Sequence, residues 1–164
     1  NADKEVEKLY KNDRNCFRKL NKALPKFINS FPISKKAISL AIQKNEFNLK
    51  KIVKIVHPII RKKMNKFLIK NKKKKLVILD IPLLLENKIN KKKDILVFVQ
   101  AKRSDILKRL KKRNNFNRKL FKKFEDIQLP LEHKKKKSHF IIKNKYTNKS
   151  VKTEISNILK KLIK

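Results

Sequence analysis

Glycine is absent from this sequence of 164 residues, and cysteine and acidic residues are scarce. Without glycine, these residues cannot form a Gly-x-x-x-x-Gly-Lys loop, whose backbone amides cradle phosphate groups. A single cysteine, Cys16, excludes an internal disulfide and any zinc site built from cysteines. Its neighbours Asn15 and Phe17 carry no charge that would activate a thiolate, so we expect a structural or surface thiol.

The scarcity of acids leaves a strongly basic chain, with 49 Lys and Arg against 13 Asp and Glu and a formal charge of +36. Such a charge suits nucleic acid, because Lys and Arg neutralise phosphates and release counterions. However, the abundant residues are Lys, Asn and Ile, whose codons are rich in A and T, and the lysines are scattered over every segment. We therefore attribute the charge to composition and expect no nucleic-acid partner.

Long apolar runs are also missing. None approaches the ~20 residues that a membrane-spanning helix needs, and no signal peptide is evident. The length is that of one compact core with a small appendage. We expect a monomer in the cytoplasm with no membrane partner.

Three short apolar runs without an alternating polar face predict strands of a parallel sheet that is covered on both sides. These runs are residues 76–79, 95–99 and 140–142. Helical patterns separate them, over residues 4–70 with breaks at Pro25 and Pro32, over 104–137, and over 151–163. Pro58 should kink or end the first helical stretch near Val56 and His57. This order of elements predicts an α/β fold with right-handed crossovers.

The segment Asp80-Ile81-Pro82-Leu83-Leu84-Leu85-Glu86 is the most distinctive in the chain. An acid ends a predicted strand, and ligands bind at the carboxyl ends of parallel strands. Such an acid can hold water on Mg²⁺. The alternative is that Asp80 is a structural turn acid.

Arginines are clustered: four of the seven lie within residues 103–118, although lysine is used nearly everywhere else. Arg109 and Arg113 are four residues apart, which predicts that they share one helix face. The planar guanidinium fits phosphate oxygens better than an ammonium does. The alternative is a solvated basic helix.

Short motifs in a fixed order resemble those of the dephospho-coenzyme A kinase family over essentially the whole chain. They are Asn1-Ala2-Asp3 for its Asp-Ala-Asp, Lys35-Lys36-Ala37-Ile38 for its Arg-x-x-Leu, His57-Pro58 for its His-Pro, Pro82 to Glu86 for its Pro-Leu-Leu-x-Glu, the lid arginines Arg109, Arg113 and Arg118, and Gln128-Leu129-Pro130-Leu131-Glu132 with Asn144 for its closing pattern.

The resemblance implies a P-loop NTPase-like parallel sheet with a helical acceptor-binding insert and a helical lid. The core would comprise residues 1–10, 71–103 and 138–164, with the insert at 11–70 and the lid at 104–137. The implied reaction is phosphorylation of the 3′-hydroxyl of dephospho-coenzyme A by ATP with Mg²⁺, giving coenzyme A.

Residue roles also follow from the resemblance. Asp3 would orient and deprotonate the acceptor hydroxyl, its alternative being a helix N-cap. Substrate would contact Lys35, His57, Pro82 and Glu86, and phosphates would contact Arg109, Arg113 and Arg118. His57 has the alternative of a structural role at a helix kink, and Asp80 is a candidate metal ligand. Lys35 stands where the family has arginine, which leaves a point charge in place of a two-pronged clamp.

The family's glycine-rich loop is the main departure. Its absence leads us to expect that an N-terminal segment of about 25–30 residues, judged from the family pattern, is missing and that these residues alone are inactive. Two other functions stay open from the residues themselves: another small-molecule or nucleoside monophosphate kinase of the same broad fold, and a basic nucleic-acid-binding module. The lack of aromatics interleaved with the lysine runs weighs against the latter.

Overall fold

The computed structural model describes residues 1–114 and 116–163, and the chain divides into two compact units, Asn1–Pro82 and a second from Leu83 onward. Four helices form the first unit: α1 (Ala2–Asn12), α2 (Arg14–Ala23), α3 (Lys35–Lys44) and α4 (Glu46–Lys70). The second unit contains β1 (Val97–Gln100), α5 (Arg103–Lys111), α6 (Arg118–Asp126), α7 (Leu131–Lys137), β2 (Phe140–Lys143) and α8 (Asn148–Leu162). Among the described residues, no helix is long and apolar enough to cross a membrane.

Polar side chains fix where the four helices of the first unit begin. The backbone amides of Lys4, Cys16, Ala37 and Phe47 donate to the side chains of Asn1, Asp13, Ser34 and Asn45, over 2.8 to 3.0 Å. Each such cap is worth about 1 kcal/mol, because it satisfies an amide that has no partner inside the helix. The predicted helical stretch is therefore four separate helices, and Pro25 and Pro32 lie in the connection between α2 and α3 as expected.

The first unit has its own hydrophobic core. Its largest fully buried side chains are Leu9, Leu20, Ile28 and Cys16, which come from α1, α2 and the connection that follows. One polar side chain, Asn48, is buried with them, and its amide donates to the Ala41 carbonyl over 2.9 Å. Because this amide group is paired, its burial carries little cost.

Helix α4 continues through Pro58 to Lys70, so the prediction that the helix could end there is wrong. Proline removes one backbone donor, which costs a helix roughly 3 kcal/mol. Ile52 and Val56, in the turns before Pro58, are buried, and α4 packs against α1, α2 and α3. This tertiary packing offsets the local cost.

The second unit confirms two of the three predicted strands. β1 and β2 pair in parallel, with Val97 opposite Phe140 and Gln100 opposite Lys143, and α8 packs against β2. Helices α5 to α7 form the crossover that a parallel pair requires. The chain is thus a helix-rich α/β protein.

The prediction that the sheet is covered on both sides is wrong for the described residues. Val97 is 41% exposed and Val99 56% exposed. Apolar strand residues indicate burial, but α8 is packed against β2 and leaves these β1 side chains in contact with solvent.

The predicted strand at residues 76–79 is also wrong, because residues 76–80 have no regular secondary structure. Ile78 is 76% exposed. A strand needs a neighbour to accept its backbone hydrogen bonds, and within the described residues of the first unit this segment has no strand beside it. The predicted boundaries of the insert and the lid remain predictions.

Candidate active site

The first turn of α1 lies beside the end of the 76–80 segment. The Ala2 amide donates to the Asp80 carbonyl over 2.9 Å, and the Asn1 side-chain amide donates to the Asp80 carboxylate. Asp3, the next residue, is exposed. Because Asn1 is the N-cap of α1, the alternative that Asp3 caps this helix is wrong. Two acids that come from separate motifs are thus held on adjacent segments.

Lys35 lies at the start of α3, where it follows the capping residue Ser34. Its ammonium is 3.2 Å from the Glu7 carboxylate, which also pairs with Lys11 at 3.3 Å. These hydrogen bonds, first from Lys35 and then from Lys11, lower the pKa of Glu7. A cleft of about 650 Å³ is lined by these three residues together with Tyr10, Asn12 and residues 32–34.

His57 is half-buried within α4. Burial lowers the pKa of its imidazole, and the charge of Arg61 one turn later lowers this pKa further. The ring is therefore neutral at pH 7 and offers hydrogen bonding without a positive charge. Pro82 is exposed in the turn that ends the first unit.

Glu86 is held by two partners from the second half of the chain, Lys134 and Leu129. One carboxylate oxygen lies 2.8 Å from the Lys134 ammonium and accepts the Leu129 amide over 3.0 Å. The Glu86 and Lys134 side chains are 11% and 15% exposed. Burial alone would raise the pKa of Glu86, but hydrogen bonds from Lys134, the backbone of Glu86 and Leu129 outweigh it and lower this pKa. Lys134 belongs to a run of four lysines in α7, but its side chain is turned onto Glu86 and is largely withdrawn from solvent.

The three predicted lid arginines have different settings. The Arg109 guanidinium lies 4.5 Å from the centre of the Tyr146 ring, and Arg118 is the first residue of α6. Arg113 lies beyond the end of α5, so the prediction that it shares a helix face with Arg109 is wrong. The Arg113 amide donates to the Leu110 carbonyl over 3.0 Å, which forms a turn directly after α5. Residues 111–114 are all polar and exposed, which leaves no apolar side chain whose burial would extend the helix.

A fourth arginine, Arg103, forms an ion pair with Glu125. Arg103, at the start of α5, donates from Nε and Nη2 to the two Glu125 oxygens over 3.2 and 3.1 Å. This fork ties the beginning of α5 to the end of α6.

Tyr146 was not predicted as a site residue. It follows the carboxyl end of β2, with a φ of 58° that is held by a hydrogen bond from its amide to the Asn144 side chain over 2.8 Å. A non-glycine residue in this region is strained, and such strain clusters at functional sites. The signal in the sequence was an aromatic residue just after a strand end, where ligands bind.

Arginines on the helices that cross between two parallel strands, one of them beside the carboxyl end of a strand, indicate an α/β protein that binds phosphate groups. A model of the dephospho-CoA kinase family matches residues 1–150. The dephospho-CoA kinase of Wolbachia pipientis wMel is 32% identical over 163 residues, which are 98% of this chain and 83% of that protein.

Two further relatives have the same name. The Bacillus anthracis protein is 39% identical over 119 residues, 71% of this chain and 60% of that protein. The Bartonella henselae protein is 29% identical over 165 residues, 99% of this chain and 84% of that protein. The chain belongs to the dephospho-CoA kinase family.

Proposed function

We propose that this chain carries the acceptor-binding and phosphate-binding parts of a dephospho-CoA kinase, which transfers the ATP γ-phosphoryl group to the 3′-hydroxyl of dephospho-CoA. The structural observation that carries the proposal is the pairing of the α1 start with the 76–80 segment, because Asn1 and Ala2, the residues before Asp3, bind Asp80. The fold we propose is a P-loop NTPase-like parallel sheet with the insert at 11–70 and the lid at 104–137. Family membership favours this kinase over others of the same broad fold.

Asp3 is the proposed group that orients the acceptor hydroxyl and takes its proton. Phosphoryl transfer needs positioning and charge stabilisation more than covalent chemistry, so one carboxylate at the acceptor oxygen suffices. Asp3 is exposed and accepts no hydrogen bond from the described residues, so its oxygens are open to a substrate hydroxyl.

Mg²⁺ suits the same place. Among the described residues, no group of three or more His, Cys, Asp or Glu is arranged to hold a metal. Mg²⁺ in such enzymes is commonly held by one or two carboxylates together with substrate phosphates and water. The carboxylate of Asp80 is the donor that would hold it, and when bound it would neutralise charge on the transferring phosphates.

Arg118 supports a phosphate role for the lid arginines. As the first residue of α6 it lies at the positive end of the helix dipole, where a cation is unfavourable by about 0.3–1 kcal/mol. It therefore does not stabilise its own helix, and the negative charge of a bound phosphate would offset this unfavourable interaction. Arg109 and Arg113 are proposed to bind phosphate beside it.

On the acceptor side we propose Lys35, His57 and Pro82. Lys35 contributes a charge at the mouth of the cleft, and the neutral His57 contributes a hydrogen bond. The protein is proposed to act as a cytoplasmic monomer without nucleic-acid or membrane partners. The sequence of 164 residues has no glycine to form a Gly-x-x-x-x-Gly-Lys loop, so we expect these residues alone to show no turnover.

The experiment compares Asp3→Asn with Glu5→Gln in the enzyme expressed from its complete reading frame. Glu5 is the matched control, because it lies in the same first turn but pairs with Lys8 at 2.8 Å. Asp3→Asn should lower kcat by about 100-fold or more through loss of the general base. Glu5→Gln should leave kcat unchanged. Near-wild-type turnover of Asp3→Asn would remove the proposed role of Asp3.

A further inference from the structure

Glu86 joins two sequence motifs that lie 43 residues apart. It ends the Pro-Leu-Leu-x-Glu segment, and its carboxylate accepts the amide of Leu129 in the turn between α6 and α7 (residues 127–130, here the α6–α7 turn). Lys134, from the first half of α7, binds the same carboxylate and also donates to the Gln128 side chain over 3.0 Å. Leu129 within the α6–α7 turn and Lys134 in the helix after it are thus both held by one acid.

The anchored turn belongs to a larger arrangement. The Arg103–Glu125 fork joins the start of α5 to the end of α6, directly before the α6–α7 turn. The α5–α6 hairpin therefore has a base, made of this fork and the turn, and an opposite tip, where α5 ends and α6 begins. Arg109 lies six residues from Arg103 in α5, and Arg118 lies seven residues from Glu125 in α6, about 9 to 11 Å at 1.5 Å per residue. The three lid arginines all lie toward the tip.

Glu86 differs from the exposed ion pairs of the chain. Most of those contribute little, because water screens both charges. The Glu86 carboxylate is largely withdrawn from solvent and already accepts a backbone amide and an ammonium. Both partners bind the same oxygen, Oε1, and with a side chain only 11% exposed little of this carboxylate is open to a substrate hydroxyl or amide.

We propose that Glu86 is a positioning residue, which anchors the base of the α5–α6 hairpin through Leu129 and Lys134 and so sets the place of the lid arginines. In this proposal Glu86 does not contact the acceptor, whereas the resemblance of its motif had implied such a contact. The functional half of this inference rests on the proposed kinase function, whereas the anchoring half does not.

The first test measures amide hydrogen exchange at Leu129 by NMR on the ¹⁵N-labelled chain. Glu86→Ala should accelerate this exchange by about tenfold or more, because a hydrogen bond to a charged acceptor is lost. The matched control is Glu132→Gln, which breaks an exposed pair with Lys135 on the same helix, where Glu132 is 74% exposed. This control should leave Leu129 within about twofold of wild type.

Unchanged Leu129 exchange in Glu86→Ala would overturn the anchoring. If that variant does not fold, Glu86→Gln decides the question, because it keeps an oxygen for the Leu129 amide and loses the charge that holds Lys134. Its Leu129 exchange should still exceed that of wild type, and exchange equal to wild type would again overturn the proposal.

The second test separates positioning from acceptor contact in the enzyme from the complete reading frame. Glu86→Gln should lower kcat by about tenfold or more, since small misplacements are costly, and leave the KM for dephospho-CoA within about twofold. A raised KM for dephospho-CoA with unchanged kcat would assign Glu86 to the acceptor and contradict the proposal. If the wild-type enzyme does not phosphorylate dephospho-CoA, the proposed function fails, while the exchange result still tests the anchor.

Discussion

Cys16 is the one cysteine of the chain and lies fully buried in α2, which makes it a specific reporter of the core of the first unit. Burial, followed by the nearby Asp13 carboxylate, raises the pKa of its thiol to about 11. The charges of Lys19 and Lys63 act in the opposite direction but do not outweigh these causes. Only the thiolate reacts with disulfide reagents, so both burial and protonation protect Cys16.

The size of this protection follows from the pKa. At pH 8 a thiol with a pKa near 11 is about one part in a thousand thiolate, whereas an ordinary thiol with a pKa near 8.5 is about one quarter thiolate. Protonation alone should therefore slow the reaction about 250-fold. Steric burial should slow it further.

The assay is the reaction of the chain with Ellman's reagent at pH 8, in buffer and in concentrated guanidinium chloride. We expect the folded chain to react at least about 200 times more slowly than the unfolded chain. In rising denaturant, the rate should increase in step with loss of helical circular dichroism. A folded-state rate within about tenfold of the unfolded rate would refute the packing of α1 and α2 around Cys16.

Three further outcomes are expected. Leu20→Ala, at a fully buried position, should lower the free energy of unfolding by about 3–5 kcal/mol in urea titrations, whereas Leu40→Ala at an exposed position should cost under about 1 kcal/mol; equal effects would contradict the core. The folded pKa of Glu86 is lowered, so its stabilisation is complete above the ordinary value of about 4.3 and is lost as pH falls through the lowered pKa. The stability gap between wild type and Glu86→Gln should accordingly shrink from pH 7 to pH 3 in the same titrations, and a gap that grows would contradict this sign. Arg118→Ala should lower kcat about 100-fold in steady-state assays if this residue binds the transferring phosphate, while Lys119→Ala beside it should have little effect; similar losses in both would indicate a general charge effect.

The sequence predicted well wherever one local cause decides the structure. Residues 97–99 and 140–142 form strands, as their short apolar runs between polar residues predict, although Val97 and Val99 are not buried. The connection that contains Pro25 and Pro32 is where proline removes helical hydrogen bonds. The caps of the first unit were not predicted individually, although Ser34 and Asn45 are typical capping residues.

Predictions failed where a distant partner decides. Residues 76–79 are as apolar as the two strands, but strand formation depends on a neighbour that a local pattern does not report. The helix through Pro58 persists because of tertiary packing, and Lys134 leaves solvent because Glu86 lies opposite it. Residues 134–137 are all lysine, so the sequence does not show which of them pairs with Glu86.

The candidate site was predicted from ordered motifs, and its geometry was only partly foreseen. Asp3 and Asp80 were identified separately in the sequence. The structure adds that Ala2, the residue before Asp3, donates a hydrogen bond to Asp80. Tyr146 was missed, because its strained backbone and its contact with Arg109 depend on how the loop after β2 is held.

The most direct test of the central claim is the reaction itself. The enzyme from the complete reading frame is incubated with ATP, Mg²⁺ and dephospho-CoA, and the products are separated by chromatography and identified by mass. We predict that coenzyme A and ADP form in equal amounts, with the new phosphate on the 3′-hydroxyl. Absence of coenzyme A, with phosphorylation of a nucleoside monophosphate or another small acceptor under the same conditions, would contradict the account.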